Sequence, residues 1–138
     1  MTSSLGASAR TTVESYVDAL VAGGPFEQYF TDDVSLDMVG AGIFVRGRDE
    51  VAAATRAAHF EVFDSAVEFT SIVVDDSGAK GALEAIFAAR QIGEFAGIPA
   101  TARDVRVPYS VHYELTDGRI SALRVYGLVQ GLLSALTS

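Results

Sequence analysis

Val105-Arg106-Val107-Pro108-Tyr109-Ser110-Val111-His112-Tyr113-Glu114-Leu115 carries the clearest β-strand pattern in the chain. Apolar and aromatic side chains alternate in it with mostly polar ones, and a period of two places the two sets on opposite faces of a β-strand. The turn Thr116-Asp117-Gly118 and a second strand from Arg119 to Val129 complete a hairpin. One face of this hairpin is apolar and carries two phenols, so it covers either a core or a ligand pocket.

Composition narrows the class of protein. The 138 residues predict one domain over residues 1–138, with residues 1–8 flexible, and a chain of this length buries about 70% of its unfolded surface. A net charge of −8 argues against nucleic acid, and no basic amphipathic stretch favours a membrane surface. There are no cysteines, and residues 1–10 lack the apolar run of a secretory signal. We therefore expect a cytoplasmic protein.

Three helices are predicted in the first half of the chain and a run of strands in the second. The helices are Ala9–Val21, Phe26–Phe30 and Asp49 to about Phe60, and the strands before the hairpin are Val34–Val39, Val67–Val74 and Gly81–Gln91. Residues 40–47 read as a loop, and Leu128–Leu136 reads as a strand end or a short closing helix. This order predicts an α+β fold, a cone-shaped α+β barrel with three N-terminal helices packed on a curved antiparallel sheet. A cone of this kind leaves a cavity between helices and sheet.

Several segments resemble the SnoaL-like branch of the nuclear-transport-factor-2-like superfamily. They are Tyr29-Phe30-Thr31-Asp32-Asp33, Arg46-Gly47-Arg48-Asp49, Gly97-Ile98-Pro99-Ala100-Thr101-Ala102-Arg103, Asp117-Gly118-Arg119-Ile120 and Leu123-Arg124-Val125-Tyr126. The resemblance covers about residues 13–136. It implies a small, cofactor-free and usually dimeric protein with an apolar pocket, whose relatives include polyketide cyclases, ketosteroid isomerases, epoxide hydrolases and plain binding modules. The fold alone does not choose among these activities.

The resemblance also suggests site residues. Asp37, in Leu36-Asp37-Met38-Val39-Gly40, matches the general base of the isomerases, and Tyr16 matches their phenol donor to the enolate. The second acid of the isomerases falls at Val111, and the last-strand acid of several cyclases and hydrolases falls near Val125. Neither valine can transfer a proton. The chain thus keeps a candidate base and a phenol but lacks the usual second acid.

Strand alternation opposes the match at Asp37. In Val34-Ser35-Leu36-Asp37-Met38 the carboxylate shares a face with Ser35, opposite Leu36, which favours a solvent-facing position. The resemblance favours a buried carboxylate whose pKa is raised by desolvation, as suits a general base. The position of Tyr16 is likewise undecided, because a phenol on the apolar stripe of a helix belongs either to the core or to a pocket wall. Both alternatives are kept for both residues.

Two other polar sets admit a catalytic and a structural interpretation. His112, Glu114 and Arg124 fall on the polar face of the hairpin, where pairing of Glu114 with Arg124 across the strands is the simpler interpretation. His59, Glu61 and Asp64 form a charged cluster at the end of the third helix, and either acid could pair with Asp37 as in polyether epoxide hydrolases. The two histidines do not have metal-ligand spacing, so no metal site is expected.

The sequence therefore predicts a cofactor-free cyclase that closes a ring in a polyketide-like apolar small molecule, either by aldol chemistry with Asp37 and Tyr16 or by a pericyclic reaction governed by shape. The predicted pocket residues are Val107, Tyr109, Val111, Tyr113, Leu123, Val125, Phe30 and Phe60. One alternative is a ketosteroid-isomerase-like or epoxide-opening enzyme that uses Asp37. The other is a non-catalytic binding or dimerisation module whose cavity is filled by its own side chains. A homodimer is expected in each case.

Overall fold

The computed structural model describes residues 4–137. The elements in chain order are α1 (Ser4–Ala22), a 3-10 turn (Glu27–Tyr29), β1 (Phe30–Met38), β2 (Ile43–Arg46), α2 (Arg48–Arg56), a π-helical turn (Ala57–Glu61), β3 (Phe63–Val74), β4 (Lys80–Gln91), β5 (Asp104–Thr116), β6 (Arg119–Tyr126) and α3 (Leu128–Thr137). None of the helices in this described range is long and apolar enough to cross a membrane.

The six strands form one curved sheet in the order β2-β1-β6-β5-β4-β3. Every neighbouring pair is antiparallel except β1 and β6, which run parallel, so the sheet is mixed where an antiparallel one was predicted. The strands β2 and β3 are free edges, and the sheet is therefore an open cone and not a closed barrel. The predicted α+β class, with helices on one face of a curved sheet, is confirmed.

The three helices are α1, α2 and α3, which differs from the prediction of three N-terminal helices. The predicted second helix at Phe26–Phe30 is only a 3-10 turn, and the third helix of the fold is the C-terminal α3. Hairpin strand β6 ends at Tyr126, three residues before the predicted end, because Gly127 takes a φ of 85° and turns the chain into α3. This turn carries α3 back over the hairpin.

The hairpin between β5 and β6 closes with the turn that its sequence predicts. Asp117 and Gly118 have φ values of 51° and 79°, the left-handed pair that a two-residue hairpin turn requires. Val111 faces Val125 and Tyr113 faces Leu123 across the strands. This register places four of the predicted pocket residues side by side on the concave face.

Some boundaries differ from the prediction. Helix α1 begins at Ser4, so residues 4–8 of the segment expected to be flexible are helical, while residues 1–3 lie outside the described residues. Strand β2 occupies part of the predicted loop 40–47. It is a four-residue edge strand, too short for alternation to be visible in the sequence.

The core lies between the concave face of the sheet and the helices. The predicted apolar stripe of α1, formed by Val13, Tyr16, Val17 and Leu20, is buried throughout. On β5, Val105, Val107, Val111, Tyr113 and Leu115 are buried, whereas Tyr109 in the middle of the same row is only half-buried. The half-buried phenol marks the place where the core opens into a cavity.

Candidate functional site

A cavity of about 210 Å³ lies between the concave face of the sheet and the three helices. Strands β1, β5 and β6 form its floor, and α1, α2 and α3 form its walls. Ile43 lines it and is 44% exposed, which places the mouth of the cavity beside β2. The lining residues are Tyr16, Val17, Leu20, Leu36, Met38, Ile43, Ala54, Thr55, Ala58, His59, Phe69, Leu83, Phe95, Tyr109, Val111, Tyr113, Leu123, Val125, Leu128 and Val129.

The lining is apolar except for a few polar side chains. These are the phenols of Tyr16, Tyr109 and Tyr113, the imidazole of His59 and the hydroxyl of Thr55. The lining set contains no Asp, Glu, Lys or Arg. A largely apolar concavity with a few convergent polar groups is the usual form of a small-molecule site.

The three phenols form a cluster on one side of the cavity. The rings of Tyr16 and Tyr113 are 6.3 Å apart and pack edge to face. None of the three hydroxyls makes a hydrogen bond to a residue in the range 4–137, and none is sealed away from the cavity space. The hydroxyls are therefore available to a ligand.

Burial sets the protonation state of these phenols. Desolvation raises the pKa of Tyr16, Tyr109 and Tyr113 above the ordinary value. The pKa of Tyr16 is raised further by a charge on Tyr109, and that of Tyr113 by a charge on Tyr16 or Tyr109, which shows that the three groups are close together. At neutral pH all three are protonated and act as hydrogen-bond donors.

His59 lines the cavity from the π-helical turn that follows α2. Its Nδ1 lies 2.8 Å from the carbonyl oxygen of Thr55, one helical turn earlier. The ring packs edge to face on Phe87 at 5.5 Å, and Phe87 also contacts the ring of Tyr109 at 6.3 Å. Desolvation by burial lowers the pKa of His59, so the imidazole is neutral at neutral pH.

Asp37 is not among the residues that line the cavity, so its position agrees with strand alternation and not with the resemblance to the isomerases, the two alternatives left open by the sequence. Its neighbours Leu36 and Met38 do line the cavity, and alternation along β1 sends Asp37 to the opposite face. There it lies next to Arg124 of β6 and Phe44 of β2 in the sheet register. The alternation pattern, and not the resemblance to isomerases, located this side chain.

The predicted pocket residues divide into two groups. Tyr109, Val111, Tyr113, Leu123 and Val125 line the cavity, as does Tyr16. Val107, Phe30 and Phe60 do not, each for a different reason.

Val107 lies on the pocket face of β5 but is covered by α3. Phe30 is fully buried beneath Tyr16, with the two rings 5.3 Å apart. Phe60 follows His59 on the π-helical turn, points away from the cavity, and is 40% exposed on a separate depression. These three side chains, predicted as pocket residues, therefore belong to the core or the surface and not to the cavity lining.

Apart from His59, the members of the two polar sets are not among the residues that line the cavity. Arg124 donates to Glu114 at 2.6 Å, the predicted cross-strand pair, and the ring of His112 packs on Tyr126 at 5.1 Å. Glu61 and Asp64 are exposed and are not part of the lining, so neither supplies a second acid there. Among residues 4–137, no group of three or more His, Asp or Glu side chains is arranged to hold a metal ion.

Sequence reasoning missed several lining residues. His59 was assigned to a surface cluster, yet Val51, Thr55 and His59 are spaced four residues apart, and this spacing would have placed the histidine on the buried face of the helix. The sequence did not decide whether the segment with Leu128 and Val129 is a strand end or a helix, so it could not predict which way these two side chains point. Phe95 lies in a loop with no periodicity to indicate burial.

Comparisons with known proteins agree with this architecture. The model of the SnoaL-like domain family matches residues 13–123. A structure from Jannaschia sp. CCS1 designated a SnoaL-like polyketide cyclase superposes with a TM-score of 0.86 at 20% identity, over 100% of this chain and 97% of that one. One from Xanthomonas campestris pv. campestris, designated a polyketide cyclase, gives 0.84 at 19% identity, over 98% and 100%.

An epoxide hydrolase of the LEH-like type from M. tuberculosis shares the fold as well. It superposes with a TM-score of 0.72 at 23% identity, over 96% of this chain and 86% of that one. None of the curated proteins compared with the chain matches it significantly. At these identities the structural matches establish the fold and not the reaction.

Proposed function

Because the chain belongs to the SnoaL-like domain family, we propose that it catalyses a cyclase- or isomerase-type reaction on a small apolar carbonyl compound bound in the cavity. Solved structures of the same fold are designated polyketide cyclases, which supports this class of reaction. The observation that carries the proposal is the cluster of three unpartnered phenols in a largely apolar cavity.

The phenols provide a site for one oxygen atom. A carbonyl oxygen accepts hydrogen bonds, and Tyr16, Tyr109 and Tyr113 all remain protonated donors. When a proton leaves the carbon next to the carbonyl, negative charge develops on that oxygen. Donors that are already in place in a water-poor cavity stabilise this charge more than they stabilise the neutral ketone.

The enolate formed in this way leads to either product class. In an aldol-type closure its carbon forms a bond to a second carbonyl carbon of the same molecule, and the oxygen of that carbonyl takes up a proton. In an isomerisation the proton returns at a different carbon. The apolar walls hold the chain of the substrate folded so that the reacting atoms lie close together.

The size of the cavity limits the substrate. An engineered protein cavity of about 150 Å³ binds benzene. The cavity of this protein has a volume of about 210 Å³, so it accommodates a compound of one or two rings. We therefore propose a small mono- or bicyclic ketone and not a large multi-ring polyketide.

The proposal is tested with β-tetralone, an apolar bicyclic ketone with an acidic benzylic carbon. Its carbonyl stretching frequency, measured by infrared difference spectroscopy, should fall on binding because the phenols donate hydrogen bonds to the oxygen. Exchange of the benzylic protons for solvent deuterium, followed by NMR, should be accelerated by the protein. Tyr113→Phe should move the frequency back and slow exchange roughly tenfold, the equivalent of one hydrogen bond.

Tyr126→Phe is the matched control, since this phenol lies on the opposite face of the sheet and is 39% exposed. It should change neither the frequency nor the exchange rate. If β-tetralone binds with a shifted carbonyl frequency but does not exchange, the protein is a binding module or a shape-driven cyclase. If the frequency does not shift, the oxygen site proposed here is absent.

A further inference from the structure

We infer that His59, through its Nε2 atom, is the group that accepts the proton from the carbon next to the substrate carbonyl. This inference rests on the proposed function, since it requires a carbonyl compound in the cavity. It replaces the carboxylate that the sequence suggested, because Asp37 lies on the opposite face of the sheet.

The hydrogen bond of His59 fixes which nitrogen is basic. The carbonyl oxygen of Thr55 can only accept, so Nδ1, at 2.8 Å, must carry the hydrogen. A neutral imidazole has one N–H, and Nε2 is consequently left with a free lone pair. Nε2 makes no hydrogen bond to another described residue and is not sealed in the core, and His59 lines both the cavity and the depression beside Phe60. The proposed role requires Nε2 on the cavity side, where the phenols are.

Its surroundings hold the ring in place. Thr55 is buried, and its hydroxyl donates to the carbonyl oxygen of Val51 at 2.8 Å, so the turn that carries the Nδ1 partner is well fixed. Phe87, which is fully buried, packs on the imidazole edge to face. A fixed base needs little reorganisation when the proton is transferred.

The base and one of the donors share a packing partner beside the cavity. Phe87 packs edge to face on the rings of both His59 and Tyr109, which brings the imidazole close to the phenol cluster. A ketone of one or two rings can thus present its oxygen to the phenols and its α-carbon to His59. No lining residue carries a carboxylate that would compete for the role.

Few other titratable groups surround His59. Tyr109 faces it from β5 and stays protonated, while α1 contributes only Leu20 and Val21 on this side. Glu68 of β3 borders the neighbouring depression, but its carboxylate is paired with Arg106 at 2.6 Å. His59 therefore titrates largely on its own.

The chemistry of imidazole also narrows the class of substrate. An imidazole has an ordinary pKa of about 6.5 and is a weak base, and desolvation by burial lowers the pKa of His59 from there, which keeps it unprotonated at neutral pH. A base this weak removes a proton efficiently only from a fairly acidic carbon. The substrate class is thus a ketone whose α-carbon is also benzylic or lies between two carbonyls.

The step balances within the site. The C–H proton moves to Nε2, and the electron pair of the broken bond forms the enolate, whose oxygen is held by the phenols. In a closure, the new C–C bond places negative charge on the second carbonyl oxygen. The imidazolium returns its proton to that oxygen, which restores the neutral base.

The test compares His59→Gln with His112→Gln, the same substitution at the other histidine, which lies on the opposite face of the sheet. Two probes are used, deuterium exchange of β-tetralone and the ring opening of nitrobenzisoxazole. In the second, the base removes the ring C–H proton, the N–O bond breaks, and a coloured cyanophenolate forms without any carbonyl. His59→Gln should slow both reactions about a hundredfold or more, and His112→Gln should leave them unchanged.

Measuring how β-tetralone binds distinguishes a failure of this inference from a failure of the proposed function. The carbonyl frequency of β-tetralone should still shift in His59→Gln, because the phenols are intact. Unchanged rates in a folded His59→Gln protein, or a wild-type protein that shifts the frequency but accelerates neither probe, would overturn the role of His59 alone. A missing frequency shift together with His59-dependent opening of nitrobenzisoxazole would instead reject the carbonyl site and retain the base.

A second readout serves if His59→Gln does not fold. The wild-type rate with nitrobenzisoxazole should fall in acid as one group is protonated, with its midpoint below the ordinary value for histidine of about 6.5. Added imidazole should restore part of the rate in His59→Ala. A rate that does not depend on pH across this range would contradict the inference.

Discussion

Gln91 is a fully buried polar side chain that organises the loop beside the cavity. Its Nε2 donates to the carbonyl oxygens of Gly93 and Ile98, each at 3.0 Å. Its Oε1 accepts from the backbone N–H and the hydroxyl of Thr101, at 3.2 and 2.7 Å. The loop held in this way carries Phe95, which lines the cavity, so Gln91 positions part of the site without touching a ligand.

Gln91→Leu should lower the free energy of unfolding by about 3 kcal/mol, because it removes four hydrogen bonds and leaves the half-buried carbonyl oxygen of Gly93 without its donor, while that of Ile98 keeps the N–H of Phe95. Urea unfolding measures this change. Gln130→Leu is the control, since the exposed Gln130 makes one hydrogen bond, to Val39, and should cost less than about 1 kcal/mol. Equal losses in the two variants would refute the role given to Gln91.

Protonation of His59 should make stability depend on pH. Burial lowers the pKa of His59 in the folded protein, so as pH falls below about 6.5 the unfolded chain binds a proton that the folded chain does not. Stability contributed by this group is present above that pH and is lost as pH falls, by at most about 1.4 kcal/mol per pH unit.

The difference in free energy of unfolding between wild type and His59→Gln measures this effect. As the pH is lowered from neutral, the difference should move in favour of the variant, which has no imidazole to protonate. His112→Gln, which keeps His59, should retain the loss of stability in acid that His59 causes. A constant difference between wild type and His59→Gln would show that His59 titrates normally.

For single residues, the sequence predicted where a side chain lies in the fold better than it predicted what the side chain does. Strict alternation located Tyr109 and Tyr113 on the apolar face of β5, and the helical stripe located Tyr16. The same alternation correctly opposed Asp37 as a pocket residue. His59 was missed because it was grouped with the charged residues Glu61 and Asp64, although its spacing from Val51 and Thr55 indicates the buried face, and Phe60 was chosen in its place.

The packing of α3 on β5 is the main contact between elements that closes the cavity. Val107 of β5 lies directly beneath Gly131 of α3, and a Cβ added at Gly131 would come within 2.3 Å of Cγ1 of Val107. The close approach brings Leu128 and Val129 onto the cavity wall. A glycine inside a helix lowers its intrinsic stability, so its presence here is explained by this contact.

Gly131→Ala should therefore destabilise the protein by about 1–3 kcal/mol, although alanine is the better helix former. Val107 is buried and branched at Cβ, and it cannot turn aside. Adding Val107→Ala to Gly131→Ala should cost less than the sum of the two single changes, because it makes room for the new methyl group. Ser134→Ala, on the same helix, is the control and should change stability little.

The sequence predicted the long elements and missed the short ones. Twelve- and thirteen-residue strands such as β4 and β5 show their period clearly, and the hairpin register follows from the Asp117-Gly118 turn. Strand β2 was missed, and the parallel pairing of β1 with β6 is a long-range contact that local patterns do not encode. Whether residues 128–136 form a strand end or a helix depended on Gly127, because the turn at this glycine ends β6 and starts α3.

For the whole molecule, the convex face of the sheet is the surface on which a dimer is predicted. Exposed apolar side chains lie on it, with Phe44 at 59%, Val73 at 61% and Tyr126 at 39% exposure. Between them are the Glu114–Arg124 pair and His112. The cavity lies on the other face, so this association would leave its mouth beside β2 free.

Light scattering on the purified protein should accordingly give twice the chain mass of 14.5 kDa. Val73→Glu should shift the protein towards the monomer because it places a charge in an apolar part of the contact. Val21→Glu, at a similarly exposed position on α1, should leave the mass unchanged. A monomeric wild type, or dissociation by Val21→Glu instead, would contradict this arrangement.

The cavity is expected to bind a small ketone with its oxygen on the phenol cluster. A crystal structure of the protein with β-tetralone would show this without an intermediate assay. The ketone should lie inside the cavity, with its oxygen within about 3 Å of at least one hydroxyl of Tyr16, Tyr109 or Tyr113 and its benzylic carbon facing His59. A ketone bound with its oxygen turned away from the phenols, or bound outside the cavity, would contradict this expectation.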